Sequence, residues 1–494
     1  MSADLPRLLF AGTGSGLGKT TLVCALLAAL ARRGMKTAPF KCGPDYIDPL
    51  FHARAAGTPS HNLDLFLCGH ELVLETLARY AKGADLAVIE GVMGLYDGVG
   101  QGQGASSNEL SLATRTPVVL VVAPRGQSLS LCAEIHGFLH FRPNMVQGIV
   151  LNNTSPRMAG HFRGMIEDSF EIPVFGAMPP VSAQLESRHL GLVTPEDTAD
   201  LPAQFAELAT VFEEHMDMEG LLALARGAGP LPEPAFRAEA RSMAEAAPWP
   251  EAPLTSPSPP DSPAVPGVVP GKGTKASRPP VIGVARDRAF CFYYEDMFSL
   301  FSELGAELRF FSPLRDRELP AGVSGLFFGG GYPEEHAEAL SLNASMRGAV
   351  YAAARGGMPV VAECGGYMYL CEALANRQGR EFPMAGVLPV RAFMRQRLAR
   401  FGYITLTAEC DTLLCPAGTE IRGHEFHYGD SANNGKAFIA RKADGKAWPC
   451  IHAQGAVFAG YPHFHWRANL PLARNFVAAC AARQGLFRSD GAAW

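Results

Sequence analysis

Between Gly229 and Pro280 the chain carries fourteen prolines, separated by alanine, serine and glycine and by few large apolar residues. Proline fixes φ and lacks an amide proton, so neither a helix interior nor a central strand can run through such a stretch. Nor does it offer enough apolar surface to offset the entropy of ordering it. The sequence therefore predicts two separately folded halves, residues 1–228 and 280–494, joined by a semi-extended flexible linker over 229–279.

The halves share a rhythm. Arg7–Ala11, Leu86–Ile89, Val118–Val122 and Ile149–Leu151 are short apolar runs bounded by Gly, Pro, Asn or charge, as buried parallel strands are. Thr20–Arg33 has helical length and meets Gly34, a natural stop. Downstream, Val281–Ala285, Leu326–Phe328 and Pro359–Val361 read as strands, with helices expected at Asn343–Arg355, Tyr367–Leu374 and Leu472–Arg483. Around Tyr403–Thr407 the alternation suits antiparallel hairpins. The expected class is α/β: a doubly wound parallel sheet followed by a second α/β domain.

Charge and cysteine usage exclude several functions. With 18% charged residues and a net charge of −5, the chain has no general attraction for nucleic acid or an anionic membrane. No stretch reaches the roughly twenty apolar residues needed to span a bilayer, and Met1–Arg7 does not open a secretory leader. The eleven cysteines are scattered without paired metal spacing, which suits cytoplasmic thiols rather than disulfides or zinc. The expectation is a cytoplasmic enzyme of small molecules, with association into a homodimer left open.

Two segments carry chemistry. Gly12-Thr13-Gly14-Ser15-Gly16-Leu17-Gly18-Lys19-Thr20-Thr21 lies between a strand and a helix. Glycines let backbone N–H groups approach phosphate oxygens, the helix N-terminus favours anions, and Lys19 can reach the terminal phosphates of ATP. Thr20 is placed to ligate Mg2+. Thr13 stands where the strict phosphate-loop spacing has glycine. Four acids follow near strand ends, where an open α/β sheet binds ligands: Asp45, Asp48, Glu90 and Asp97. Glu90 and Asp48 are candidate magnesium ligands; Asp45 and Asp97 are candidates to position a reacting carboxyl. The second segment, Val360-Val-Ala-Glu-Cys364-Gly-Gly, reads as a nucleophile elbow whose helix should depress the thiol pKa. The Gly329–Gly331 run offers an oxyanion hole through Gly330 and Gly331, and His463 or His465 a base. Arg422, His424 and His427 form a competing cluster, suited to a base or to a carboxylate substrate.

Gly43-Pro-Asp-Tyr46-Ile-Asp-Pro49, Glu90-Gly-Val-Met-Gly-Leu-Tyr-Asp-Gly98, Arg188-His189-Leu-Gly-Leu192, Arg286-Asp-Arg-Ala-Phe290, Gly329-Gly-Gly-Tyr-Pro-Glu334 and Arg422-Gly-His-Glu-Phe-His427 together resemble cobyrinate a,c-diamide synthases. The resemblance runs along nearly the whole chain except the linker. It implies a dethiobiotin-synthetase-like ATP domain joined to a class I glutamine amidotransferase. Cys364 would attack the glutamine amide while His463 shuttles the proton. ATP with Mg2+ would phosphorylate a tetrapyrrole carboxylate, and ammonia would displace that phosphate. Tyr46, Arg188, His189, His424, His427 and His465 would meet the substrates. The class I pattern His-x-Glu places glutamate where this chain has His465, so the third member of the triad stays open. The same motifs serve diamidation of sirohaem or nickel-sirohydrochlorin, and a non-catalytic nucleotide switch shares the N-terminal fold.

Overall fold

The computed structural model describes residues 5–100, 102, 104–181, 194, 195, 198, 200–232 and 279–489, with side chains to residue 484. Arg188, His189 and the linker from 233 to 278 lie outside the described residues.

The first unit opens with β1 (Arg7–Gly12), α1 (Lys19–Arg32), β2 (Thr37–Cys42), α2 (Ile47–Ala56), β3 (His61–Leu63), α3 (Leu65–Tyr80) and β4 (Leu86–Gly94). Strands β5 (Val118–Val122), β6 (Val146–Leu151) and β7 (Val174–Ala177) complete a sheet of order β3-β2-β4-β1-β5-β6-β7, parallel throughout. Leu8 and Phe10 of β1 enter one core while Leu9 and Ala11 enter the other, because successive strand residues face opposite sides. Both faces are therefore dry, which is why these strands read as unbroken apolar runs. The unit continues to Leu231, which is buried in one of these cores, while Arg7 donates to the carbonyls of Ala228 and Gly229.

In the second unit β8 (Val281–Ala285), β9 (Glu307–Phe311), β10 (Gly325–Phe328) and β11 (Val360–Glu363) form a parallel sheet with strand Val457–Gly460, edged by the antiparallel His452–Gln454. A five-stranded antiparallel sheet centres on Arg400–Ala408 and Glu420–His427, as the alternation there suggested. The helix expected at Tyr367–Leu374 is shorter. It spans Gly365–Leu370 and turns extended at Cys371, because Cys371–Ala375 is a strand paired in a further four-stranded sheet.

Candidate active site

The phosphate loop leaves the C-terminal end of β1, between β4 and β5, and feeds α1. Gly16 and Gly18 sit at φ of 69° and 75°, a left-handed backbone that side-chain-bearing residues rarely adopt. Lys19 is buried, and its Nζ donates to the carbonyls of Gly14 (2.9 Å) and Met93 (2.7 Å). Burial and the neighbouring Lys41 ammonium lower its pKa to about 8. An arriving polyphosphate supplies the anion this lysine lacks. Asn152, just beyond β6, braces the loop by donating to the Leu17 carbonyl at 2.6 Å.

The three candidate magnesium ligands converge. Thr20 Oγ1 donates to Glu90 Oε1 at 2.9 Å and lies 3.2 Å from Asp48 Oδ1. These are hard oxygen donors of the kind magnesium takes, and they already balance one cation: Lys41 Nζ is 2.6 Å from Asp48 Oδ2 and 2.8 Å from Glu90 Oε1. Lys41 and Glu90 are register partners of β2 and β4, which places both side chains on one face. His52 Nε2 lies 2.6 Å from the other Glu90 oxygen. Burial would raise Glu90, but Lys41 and His52 hold it well below the usual carboxylate range. Burial, Asp45 and Glu90 push Asp48 up to about 7. Among the described residues no three His, Cys, Asp or Glu side chains form a metal cage, so an ion here would be completed by phosphate oxygens. The other two acids hold backbone: Asp45 Oδ1 accepts from the amides of Ile47 and Asp48 at the start of α2, and Asp97 Oδ2 accepts from Gly94 N.

At the thiol end Cys364 adopts φ 48° and ψ −101°, the strained turn of an elbow between β11 and a short helix. A Cβ added to Gly366 would stand 2.5 Å from the Phe328 carbonyl oxygen, so the turn presses directly on the end of β10. The expected depression of the thiol pKa does not occur. Burial pushes Cys364 well up, Glu334 adds to it, and the following helix of six residues does not compensate. Within the glycine run, Gly329 N donates to the Tyr293 hydroxyl (2.9 Å) and is thereby occupied. Gly331 N faces the elbow, 2.9 Å from where a Gly365 Cβ would lie.

His463 follows strand Val457–Gly460, which lies beside β11, and Cys364 N donates to Gly460 O at 2.7 Å. Adjacent parallel strands thus deliver the cysteine and the histidine to one end of the sheet. His463 Nδ1 is 3.4 Å from Glu363 Oε2, and Trp466 Nε1 donates to Glu363 Oε1 at 2.8 Å. His465 turns away: its Nε2 is 3.5 Å from Asp296 Oδ2 and its ring packs on Tyr294. His424 is the register partner of His463, and their rings stack 5.0 Å apart. Burial and the two neighbouring histidines lower the His424 pKa, and the Tyr294 hydroxyl lies 2.9 Å from its Nε2. His427 is elsewhere. Its Nδ1 donates to Gly429 O at 2.6 Å, its ring stacks on Tyr461, and with Glu425 it lines a cavity of about 10 Å³.

The two ends meet through Tyr46. Its ring stacks on Phe292 at 5.3 Å, and its centroid is 5.2 Å from that of His463. The segment that carries Asp45 and Asp48 beside the phosphate loop therefore places its intervening side chain on the histidine of the other unit. Tyr403 donates to Asp64 at 2.7 Å and Arg422 to the Phe66 carbonyl at 2.9 Å, binding the same interface. Arg422 is thus spent on the contact between units.

Lys41, His52, Glu334 and Glu363 are the residues that sequence reasoning missed. Glu363 did leave a signal, a carboxylate closing the otherwise apolar strand Val360–Glu363.

Residues 8–192 match the family described as the CobQ/CobB/MinD/ParA nucleotide binding domain, and residues 281–471 that of the CobB/CobQ-like glutamine amidotransferase domain. The hydrogenobyrinate a,c-diamide synthase of Streptomyces coelicolor is 40% identical over 491 residues, covering 96% of this chain and 98% of that protein. Cobyrinate a,c-diamide synthases of Dehalococcoides mccartyi and Thermoplasma volcanium are 36% and 34% identical, each over 96% of this chain and over 98% and 97% of their own lengths.

Proposed function

The chain belongs to the cobyrinate a,c-diamide synthase family, and on that premise we propose an ATP-dependent ligase that converts the a- and c-acetate carboxylates of cobyrinate, or its cobalt-free counterpart, into amides with nitrogen from glutamine. The observation that carries this reading is the Tyr46 contact, because it sets the segment beside the phosphate site against His463, the base proposed for the cysteine elbow.

A carboxylate is a poor electrophile and must be activated. The loop Gly12–Thr21 cradles the nucleotide phosphates and Lys19 takes the charge that builds as the terminal phosphoryl moves. Thr20, Asp48 and Glu90 would hold magnesium, which when bound screens the phosphate charge. Asp45 and Asp97 shape the ends of α2 and β4 where the tetrapyrrole carboxylate would sit. At the other centre His463 removes the Cys364 proton as sulfur attacks the glutamine carboxamide, and Gly330 and Gly331 present backbone to the oxyanion. Ammonia leaves with the proton His463 returns, and water opens the thioester to glutamate. Transfer of the terminal phosphoryl to the tetrapyrrole carboxylate gives an acyl phosphate and ADP; ammonia attacks its carbonyl carbon, and the amide forms as inorganic phosphate leaves. We place the two catalytic units on either side of the proline-rich stretch, at residues 1–231 and 280–494. A reaction using ATP and glutamine, in a chain whose eleven cysteines are all free, fits the cytoplasm.

The test is mass spectrometry of cobyrinate, hydrogenobyrinate, sirohaem and sirohydrochlorin incubated with ATP, magnesium and glutamine. Gain of two amides on cobyrinate or hydrogenobyrinate supports the reading, and gain only on another ring overturns it. Lys19→Ala should stop amidation yet leave glutamine hydrolysis measurable. Cys364→Ala should lose glutamine-dependent amidation but retain the ammonia-dependent reaction.

A further inference from the structure

Glutamine hydrolysis at Cys364 needs His463 held in one tautomer and one orientation. A histidine that takes a proton at one ring nitrogen needs a fixed acceptor at the other. The residue two positions on, His465, does not serve, since it faces Asp296. Among the described residues His463 Nδ1 has no hydrogen-bond partner, and the carboxylate beside it is Glu363 at 3.4 Å. We propose that Glu363 is the positioning acid of the glutaminase centre, supplied from the strand that carries the nucleophile rather than from the loop that carries the base.

Three observations support this. Glu363 is 4% exposed at the end of an apolar strand, a costly place for a charge without a task. Its register partner on the neighbouring strand is Gly460, three residues before His463, so sheet pairing itself sets the distance. Its other oxygen accepts from Trp466 Nε1, a side chain three residues after His463 and 1% exposed. One carboxylate thus ties both ends of the segment His463–Trp466 to the strand before Cys364. In the reaction the Cys364 sulfur bonds to the carboxamide carbon while its proton passes to His463 Nε2. The Nδ1 proton stays on the imidazolium, facing Glu363. When the carbon–nitrogen bond breaks, Nε2 returns its proton to the leaving ammonia. Glu363 changes no bonds; it orients the ring and stabilises its charged form.

The inference rests on the glutaminase reading, and the experiment separates the two. Wild type, Cys364→Ala and Glu363→Gln full-length chains are compared for glutamine hydrolysis across pH and for ammonia-dependent amidation. Wild type that hydrolyses no glutamine, or Cys364→Ala that still does, removes the reading itself. If the reading holds, Glu363→Gln keeps an acceptor for Trp466 but loses the charge. Its kcat should fall about 100-fold with KM for glutamine within about threefold, and the acid limb should move to lower pH. Ammonia-dependent amidation should match wild type. A kcat within about threefold and an unmoved acid limb overturn the assignment. Should that variant not fold, Trp466→Phe frees the carboxylate without removing it. A kcat about tenfold lower at constant KM then supports the role, and an unchanged kcat overturns it.

Discussion

Glu334 offers the sharpest energetic test, because burial penalises its charge by more than its own backbone amide and Arg377 offset. The residue is 7% exposed, its Oε2 has no hydrogen-bond partner, and burial pushes its pKa from 4.5 up to about 7. Below pH 4.5 the folded and unfolded chains both carry the proton, and the group does not affect stability. Between pH 4.5 and 7 the unfolded chain ionises while the folded chain keeps its proton, so stability falls as pH rises. The shift of about 2.5 units at 1.36 kcal/mol each gives a loss of about 3 kcal/mol, complete by pH 8. Glu334→Gln is neutral throughout and escapes that loss. Urea unfolding followed by tryptophan fluorescence measures it selectively, since Trp249, Trp448, Trp466 and Trp494 all lie beyond the N-terminal half. The variant should gain on wild type from near zero at pH 4.5 to about 3 kcal/mol at pH 8. An equal difference at both pH values would refute the reasoning, whatever its size.

Lys41→Met leaves Glu90 and Asp48 facing each other without their shared cation, and loss of one partner from a buried pair costs about 3–5 kcal/mol. Calorimetry of the nucleotide-free chain should show the N-terminal transition moving down, and a change below about 1 kcal/mol would mean the pair contributes little. Tyr46→Ala removes the ring packed on Phe292 and His463. Glutamine-dependent amidation should drop about tenfold relative to ammonia-dependent amidation in the same preparation. An unchanged ratio would mean the contact is packing alone.

What the sequence disclosed depended on how far apart the participants lie along the chain. Lys19 and Thr20 in their loop, and Cys364 before two glycines, are contiguous patterns whose backbone geometry follows locally. Glu90 and Asp48 were legible as acids near strand ends, although their meeting at Thr20 needs β4 and α2 to be in place. Lys41 was invisible as a partner because only the β2–β4 register sets it beside Glu90. The same holds for Glu363, aligned with Gly460 by sheet pairing and read from sequence merely as part of the elbow. His465 misled through its closeness to His463: the strand His463–Phe464 ends before it, so the two side chains turn to different partners. The cysteine's expected low pKa failed for another reason. A six-residue helix offers little dipole against a fully enclosed thiol.

The displaced pKa values point one way. Desolvation is the largest cause at Lys19, lowered to about 8, at Asp48, raised to about 7, and at Cys364, raised well above a free thiol. In each case burial favours the neutral form, which is the form that cannot do the chemistry. Lys19 would regain its charge beside a bound polyphosphate and Asp48 beside a bound cation, whereas Cys364 depends on the chain's own His463 to take its proton. Tyr46 lies on the segment that joins Asp45 to Asp48 and against His463. The Tyr46 ring thus links the segment beside the phosphate loop directly to His463 of the other unit.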